Sequence, residues 1–273
     1  MTNDTKASGM RLRDISWTDF QALSLIEKGA CFRGDPPHTL IAQQFTRPML
    51  DELCALATKI KRINKRREGA NFLKTLLSDK RSMLYFAQPS SRTYLSHNAA
   101  CQILGLDTMD VRDTKTSSEV KGESPEDTIR TFSSYVDMII MRHPVGGFAE
   151  RVAWMLAHTN REIPVLNAGS GADQHPTQAL LDLFTIFEEM GAGEVDGLTV
   201  TLLGDLKYGR AVHSLCKLLG LFRGVQVVLV SPAELRMPGE IVEELRNNDH
   251  RVVEYEMLEE RLANVDIVYS TRM

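Results

Sequence analysis

Polar side chains gather where an apolar stretch of the sequence gives way to a helical pattern. The stretch MLYFA at 83–87 is followed closely by Ser90, Ser91, Arg92 and Thr93 in consecutive positions. A helix N-terminus presents free backbone N–H groups and a positive dipole end, and hydroxyls with a guanidinium complete a cradle for phosphate. Capping of the helix by Ser90 or Ser91 is the alternative, although a cap needs only one hydroxyl.

Two further polar groups follow the apolar stretches DMIIM and PVLNA. Arg142 comes after the first, in MRHP, where its guanidinium could neutralise the same anion or polarise a carbonyl group; a surface ion pair is the alternative. His175 precedes Pro176 in QHPTQ, so its imidazole could donate a hydrogen bond to a substrate oxygen. Capping of that helix by His175 remains open as the structural alternative.

The loop GDLKYGR at 204–210 carries Lys207 and Arg210 immediately before another helical pattern. Two cations at this place suit a substrate that bears a carboxylate, and an exposed charged loop is the alternative. The segment NAGSGADQ contains G-S-G but lacks the third glycine of a dinucleotide site, so we expect no nucleotide cofactor. The sequence shows no metal-ligand cluster, no GxSxG nucleophile motif and no P-loop.

The elements that must position these groups are short apolar stretches in alternation with helical patterns. Strands are predicted at 83–87, 108–111, 137–141, 164–168, 198–203, 225–230, 251–256 and 266–270. Helices are predicted between them, including one from Ser124-Pro125 and a long one from Pro176 to about Met190. This alternation predicts an α/β fold with parallel sheets, in which ligands bind beyond the carboxyl ends of the strands.

The chain is predicted to form two domains, each a parallel β-sheet flanked by helices, joined by the long helix. Residues 1–37 end in the turn-rich RGDPP and are interpreted as an N-terminal extension. The first domain is predicted at 38–174, the connecting helix at 175–190 and the second domain at 191–273.

The composition excludes several classes of protein. With 273 residues, 43% hydrophobic and 25% charged, the chain is an ordinary globular sequence, and no apolar stretch approaches the roughly 20 residues that span a membrane. Its formal net charge of -4 gives no general attraction to nucleic acid or an anionic membrane. The cysteines at 31, 54, 101 and 216 lie far apart, which predicts reduced, buried thiols in a cytoplasmic protein.

Six motifs occur in one order along the chain, from about residue 40 to the last residue. They are PSSRT at 89–93, SSEVKGE at 117–123, MRHP at 141–144, HPTQALLD at 175–182, GDLKYGR at 204–210 and YSTR at 269–272. Together they resemble the catalytic chains of aspartate carbamoyltransferases, within the aspartate/ornithine carbamoyltransferase family. GDLKYGR and YSTR resemble the aspartate branch rather than the ornithine branch.

The resemblance implies a transfer reaction without a metal or an organic cofactor. The carbamoyl group of carbamoyl phosphate would pass to the amine of L-aspartate, giving N-carbamoyl-L-aspartate and phosphate in pyrimidine biosynthesis. The first domain would bind carbamoyl phosphate and the second would bind aspartate, and closure of the domains would bring the substrates together.

The resemblance also assigns roles to individual residues for the donor substrate. Arg142 would help to bind the phosphate, and the other phosphate ligands would be Ser90, Ser91, Arg92 and Thr93. The carbonyl oxygen would be contacted by Thr93, Arg142 and His175, and the carbamoyl amide by Gln178.

For the acceptor, the resemblance implies that Arg210 and Arg272 hold the two carboxylates of aspartate. Members of the family are homotrimers with shared active sites, and Ser117 and Lys121 match residues that a neighbouring subunit lends. Lys121 would be both catalytic and aspartate-binding. Regulatory or other partner chains would be compatible with this family.

The sequence departs from the family pattern at several positions. Ser91 replaces a threonine, which keeps the hydroxyl, whereas Tyr94 replaces an arginine and Gln88 stands where an acidic residue is usual. Loss of that acid is expected to alter the energetics of closure. Family sequences also continue beyond the position of Met273, so the C-terminal part of the aspartate domain is expected to be missing from this sequence.

Two other functions remain open at this stage. Gln88 and Tyr94 are compatible with a non-catalytic relative that binds phosphate and acts as a scaffold or regulatory partner. Retention of Lys121, Arg142, His175 and Arg210 argues against it, because a scaffold has no need of so many cations and donors directed at one cleft. A transferase for a different amino-acid acceptor is the third hypothesis.

Overall fold

The computed structural model describes residues 10–112, 123–171, 174–191, 195–257 and 264–271. These residues divide between two compact units. The first falls within Met1–Gln44 and Lys59–Asp173, and the second within Phe45–Thr58 and Gln174–Met273. In the part of the chain described, no helix is both long enough and apolar enough to cross a membrane.

The described residues form eight strands and ten α-helices. The strands are β1 (Arg81–Phe86), β2 (Asp107–Val111), β3 (Met138–His143), β4 (Val165–Ser170), β5 (Thr199–Leu203), β6 (Gln226–Val230), β7 (Arg251–Tyr255) and β8 (Ile267–Ser270). The helices are α1 (Trp17–Ala22), α2 (Leu25–Cys31), α3 (Arg47–Asn64), α4 (Arg67–Leu73), α5 (Ser91–Leu104), α6 (Pro125–Ser133), α7 (Phe148–Ala157), α8 (Pro176–Met190), α9 (Arg210–Leu219) and α10 (Gly239–Asn247).

Each unit is built on a four-stranded sheet in which neighbouring strands run parallel. The strand order is β2-β1-β3-β4 in the first unit and β7-β6-β5-β8 in the second. Parallel strands require crossover connections, and the helices that the sequence places between strands supply them. The predicted fold class is therefore confirmed.

The strand β1 of the first sheet is buried on both faces, as expected of a central parallel strand flanked by helices. Side chains of β1 alternate between two cores: Met83 and Tyr85 belong to the larger one, and Leu84 and Phe86 to the smaller one. This burial explains why β1 is an almost continuous apolar stretch in the sequence.

Residues 10–37, interpreted from the sequence as an extension, pack into the larger core of the first unit. Phe20 and Phe32 are fully buried with ring centroids 5.8 Å apart. The Trp154 ring on α7 lies 5.4 Å from Trp17, and its Nε1–H donates to the Ile15 carbonyl at 2.9 Å. Each buried aromatic ring stabilises the fold by about 1.5–3 kcal/mol, so this segment is an integral part of the unit.

Residues 45–58 group with the second unit, whereas the sequence-based boundaries placed them in the first domain. Arg47, the first residue of α3, forms an ion pair with Asp196 at 2.7 Å, and its guanidinium stacks on Phe222 at 4.1 Å. The long helix α8, predicted as a connector, also groups with the second unit. There the Phe187 ring packs edge-on against the Phe222 ring, with the ring centroids 6.0 Å apart. These long-range contacts carry no local signal in the sequence.

A buried histidine makes the stability of the first unit depend on pH. His38 is 3% exposed, its Nδ1 accepts a hydrogen bond from the Val165 N–H at 3.2 Å, and its ring faces Phe32. Burial lowers the pKa of His38 from 6.5 to about 4. The unfolded chain therefore binds more protons than the folded chain between these values. The contribution of the buried neutral imidazole to the free energy of unfolding is complete above about pH 6.5 and is lost as the pH falls toward 4.

We expect His38→Asn to reduce this acid sensitivity, because the asparagine Oδ1 keeps an acceptor for the Val165 N–H but does not titrate. The wild-type unfolding free energy should fall by up to about 3 kcal/mol more than that of the variant between pH 7 and pH 4. Both tryptophans, Trp17 and Trp154, lie in the first unit, so tryptophan fluorescence in denaturant titrations measures the relevant transition. Equal pH slopes for the two proteins would contradict the assignment.

Candidate active site

The polar cluster of the first unit lies where the strand order reverses. The chain runs from β1 outward to β2 and then returns to β3 on the other side of β1, so the switch point lies between β1 and β3. Open α/β sheets bind ligands at such points, beyond the carboxyl ends of the strands. The register pairs Phe86 with Arg142, which brings the ends of both strands to this edge.

The loop after β1 is tied to the end of β3 by its backbone. The N–H groups of Ala87 and Gln88 both donate to the carbonyl of Arg142, at 2.9 and 3.4 Å. Arg142 is 7% exposed, and its Nη1 donates to the Ala168 carbonyl on β4 at 3.1 Å. The structure thus places Arg142 beside the loop that leads to Ser90.

The start of α5 lacks the side-chain cap that the alternative interpretation requires. Ser90 occupies the N-cap position, but its hydroxyl makes no cap hydrogen bond and donates instead to Thr93 Oγ1 at 2.9 Å. No described residue accepts from the backbone N–H groups of Ser91, Arg92 and Thr93. Three amide donors and the positive helix end therefore remain available for an anion.

In the second unit, His175 immediately precedes α8, and its side chain does not cap the helix. The residue is 7% exposed, and its backbone N–H donates to Ser214 Oγ on α9 at 3.1 Å. Ser214 is fully buried and donates in turn to Gln174 Oε1 at 3.2 Å. Ser214 thus fixes the backbone of His175, and sequence analysis did not identify it because a serine inside a helix carries no distinctive signal.

The strand order of the second sheet reverses between β5 and β8, and two predicted segments meet there. The GDLKYGR loop follows β5, and Arg210 begins α9 in a half-buried position, where burial lowers the pKa of its guanidinium. After β8, the Thr271 N–H and Oγ1–H both donate to the Leu203 carbonyl, at 2.8 and 3.1 Å. The end of β8 is thereby joined to the start of the loop.

Gln178, in the first turn of α8, has a partly buried partner that sequence analysis also missed. Its Nε2 donates to Asp182 Oδ1 at 2.8 Å, one turn further along the helix. The second oxygen of Asp182 accepts from the Tyr269 hydroxyl on β8 at 3.0 Å.

Three residues predicted to belong to the site lie outside the described residues: Ser117, Lys121 and Arg272. Within the described ranges, no group of three or more His, Cys, Asp or Glu side chains could hold a metal ion. The described site residues are hydroxyls, amides, cations and one imidazole, a donor set that suits anionic substrates.

The comparisons with known proteins decide the family. Residues 37–188 match the family model of the carbamoyl-phosphate-binding domain of aspartate/ornithine carbamoyltransferases. The chain belongs to the aspartate/ornithine carbamoyltransferase family. The aspartate carbamoyltransferase catalytic subunit of Methanosarcina mazei is 41% identical over 236 residues, which cover 86% of this chain and 72% of that protein.

Solved structures of carbamoyltransferases agree with this membership. Aspartate transcarbamoylase from Trypanosoma cruzi in complex with carbamoyl aspartate and phosphate is 37% identical, with a TM-score of 0.77 over 86% of this chain and 75% of that one. The complex of the same enzyme with N-(phosphonacetyl)-L-aspartic acid is 38% identical, with a TM-score of 0.76 over 86% and 74% of the two chains.

Two departures from the carbamoyltransferase pattern are visible at the loop between β1 and α5 and in the first turn of α5. Tyr94 packs edge-on against Phe86 with centroids 5.5 Å apart and carries the Arg112 guanidinium on its face at 4.4 Å. This replacement puts an aromatic core residue where the family has an arginine. Gln88 has a buried Oε1 without a hydrogen-bond partner among the described residues, which leaves a neutral acceptor where relatives have an acidic group.

Proposed function

We propose that the chain transfers the carbamoyl group from carbamoyl phosphate to the amine of L-aspartate. The relatives that are named aspartate carbamoyltransferases, and those solved with carbamoyl aspartate, phosphate and N-(phosphonacetyl)-L-aspartic acid, support this reaction. The observation that carries the proposal is the uncapped N-terminus of α5, which follows a loop bonded to the Arg142 backbone at the switch point of the first sheet. A free helix start is suited to a phosphate.

For the donor substrate, we assign the phosphate to the loop and first turn of α5 together with Arg142. The loop ligands are Ser90, Ser91, Arg92 and Thr93. The amide of carbamoyl phosphate is assigned to Gln178, and its carbonyl oxygen to Thr93, Arg142 and His175. Their side chains are donors that can stabilise a developing negative charge.

The chemical step then needs little beyond orientation and charge stabilisation. The neutral amine of aspartate forms a bond to the carbamoyl carbon, the bond from that carbon to the phosphate oxygen breaks, and the departing phosphate takes the amine proton. Donors fixed in advance stabilise the oxyanion more than the ground state. Alignment of the two substrates supplies about 7–11 kcal/mol at most.

For the acceptor, we assign the two carboxylates of aspartate to Arg210 and Arg272. We further propose a homotrimer in which Ser117 and Lys121 serve the site of a neighbouring subunit, and Lys121 contacts aspartate there. Pyrimidine biosynthesis is the pathway that this product implies. A cytoplasmic location is supported by four cysteines that are free and buried.

The test is an assay of the full chain with carbamoyl phosphate and L-aspartate, with carbamoyl aspartate as the measured product. We expect product, and calorimetry should show that N-(phosphonacetyl)-L-aspartic acid binds far more tightly than phosphate, as a ligand that spans both subsites must. A folded protein that binds phosphate and forms no product would favour the hypothesis of a non-catalytic, phosphate-binding scaffold. Product formation with another amino acid alone would favour a different acceptor.

A further inference from the structure

A hydrogen-bonded chain of three side chains lies behind the residue assigned to the carbamoyl amide. Gln178 Nε2 donates to Asp182 Oδ1 at 2.8 Å, and the Tyr269 hydroxyl donates to Asp182 Oδ2 at 3.0 Å. Gln178 and Asp182 are four residues apart on α8, so they lie on the same face of that helix. Asp182 and Tyr269 are both partly buried.

The carboxylate determines which way the Gln178 amide faces. An ionised carboxyl group accepts hydrogen bonds and donates none, so the nitrogen of Gln178 must face Asp182. Burial raises the pKa of Asp182 above the usual range of an aspartate, and the hydrogen bonds from Gln178 and Tyr269 offset part of that rise by stabilising the charged form. The Gln178 oxygen therefore points away from Asp182, and no described residue donates a hydrogen bond to it.

We propose that Asp182 is a positioning residue that presents Gln178 Oε1 as a hydrogen-bond acceptor and so selects a donor substrate with an amino group on its acyl carbon. The inference rests on the proposed function, in which Gln178 binds the amide of carbamoyl phosphate. With the amide turned the other way, Gln178 would offer N–H groups to the substrate NH2, and two donors would face each other.

The discrimination concerns two acyl phosphates of nearly the same shape. Carbamoyl phosphate carries NH2 where acetyl phosphate carries a methyl group. A fixed acceptor gains a hydrogen bond from the first and is left without one by the second, and sites that hydrogen-bond a substrate group reject analogues that lack it. Shape alone could not separate these ligands, so the orientation of one amide would set the selectivity.

Tyr269 supports the carboxylate from the other side. Burial raises the pKa of the Tyr269 hydroxyl, and the neighbouring Asp182 raises it further, so the hydroxyl stays protonated and donates. Tyr269→Phe removes this hydrogen bond and leaves the one between Gln178 and Asp182 in place. It is the matched control, and we expect a smaller loss of selectivity than with Asp182→Asn.

The experiment compares binding of carbamoyl phosphate and acetyl phosphate to the full chain by calorimetry. In Asp182→Asn the new amide can donate to Gln178 Oε1, so Gln178 is free to turn over. We expect the Kd of carbamoyl phosphate to rise about tenfold or more, and that of acetyl phosphate to change less than about twofold. Asp182→Ala gives the same comparison if the asparagine variant does not fold.

A second background separates positioning from a general loss of structure. In Gln178→Ala the selectivity should already be reduced, and adding Asp182→Asn should not change the ratio of the two Kd values further. Two results would overturn the proposal. One is an equal rise in the Kd of both ligands in Asp182→Asn. The other is a loss of selectivity when Asp182→Asn is added to Gln178→Ala that equals the loss in the wild type. If the wild type forms no carbamoyl aspartate, the proposed function fails; if it does and Asp182→Asn leaves the ratio unchanged, only this inference fails.

Discussion

Replacement of Arg92 by alanine is expected to lower kcat/KM for carbamoyl phosphate by about 100- to 1000-fold, because one charged donor to the phosphate is lost. Arg92 is exposed in the first turn of α5, and no described residue forms an ion pair or a hydrogen bond with its side chain. The free energy of unfolding should therefore change by less than about 0.5 kcal/mol. Steady-state kinetics and a denaturant titration measure the two effects.

Arg81→Ala is the matched control for this variant. Arg81 is an exposed arginine of the same unit and begins β1, at the opposite end of the strand that leads to Ser90. It should leave both kinetics and stability nearly unchanged. A large fall in stability for Arg92→Ala, with the affinity for carbamoyl phosphate retained, would show that Arg92 is structural.

The second large effect is expected at the acceptor side. Arg210→Ala should raise the KM for aspartate by about 100-fold, because a hydrogen-bonded charge pair with a carboxylate is lost. The half-buried position strengthens this interaction, since partial removal from water lowers the dielectric screening of the charge. Direct titration should show that carbamoyl phosphate binds with an unchanged Kd.

Arg251→Ala serves as the control in the second unit, because Arg251 is exposed at the start of β7, at the opposite edge of the sheet from the GDLKYGR loop. Kinetics should be unaffected by this change. If Arg210→Ala raised the Kd of carbamoyl phosphate and left the KM for aspartate unchanged, the assignment of Arg210 to the acceptor would be wrong.

Local patterns were sufficient to predict the strands and the polar loops. The predicted strand at 83–87 corresponds to Arg81–Phe86, and that at 225–230 corresponds to Gln226–Val230. Apolar stretches bounded by turn residues identify buried parallel strands, because both faces of such a strand need apolar side chains. Since ligand-binding loops follow strand ends in this architecture, the candidate residues Arg142 and Arg210 could be located from the sequence as well.

Features that depend on long-range contacts could not be predicted in this way. The helix α2 is capped locally by Ser24 and Glu27, which form a capping box, but the packing of its Cys31 into the larger core depends on residues far along the chain. The grouping of Arg47 with the second unit depends on Asp196, a residue far along the chain. The role of Asp182 likewise depends on Tyr269, on a strand that pairs with β5.

The four buried cysteines have a practical consequence for measurement. All are free, and burial raises the pKa of each thiol, to about 11 for Cys54 and about 12 for Cys216. The thiolate is the nucleophile that attacks alkylating reagents, so the native thiols should react slowly at neutral pH. A single cysteine introduced at position 81 or 251 would then accept a fluorophore selectively, without prior removal of the natural ones.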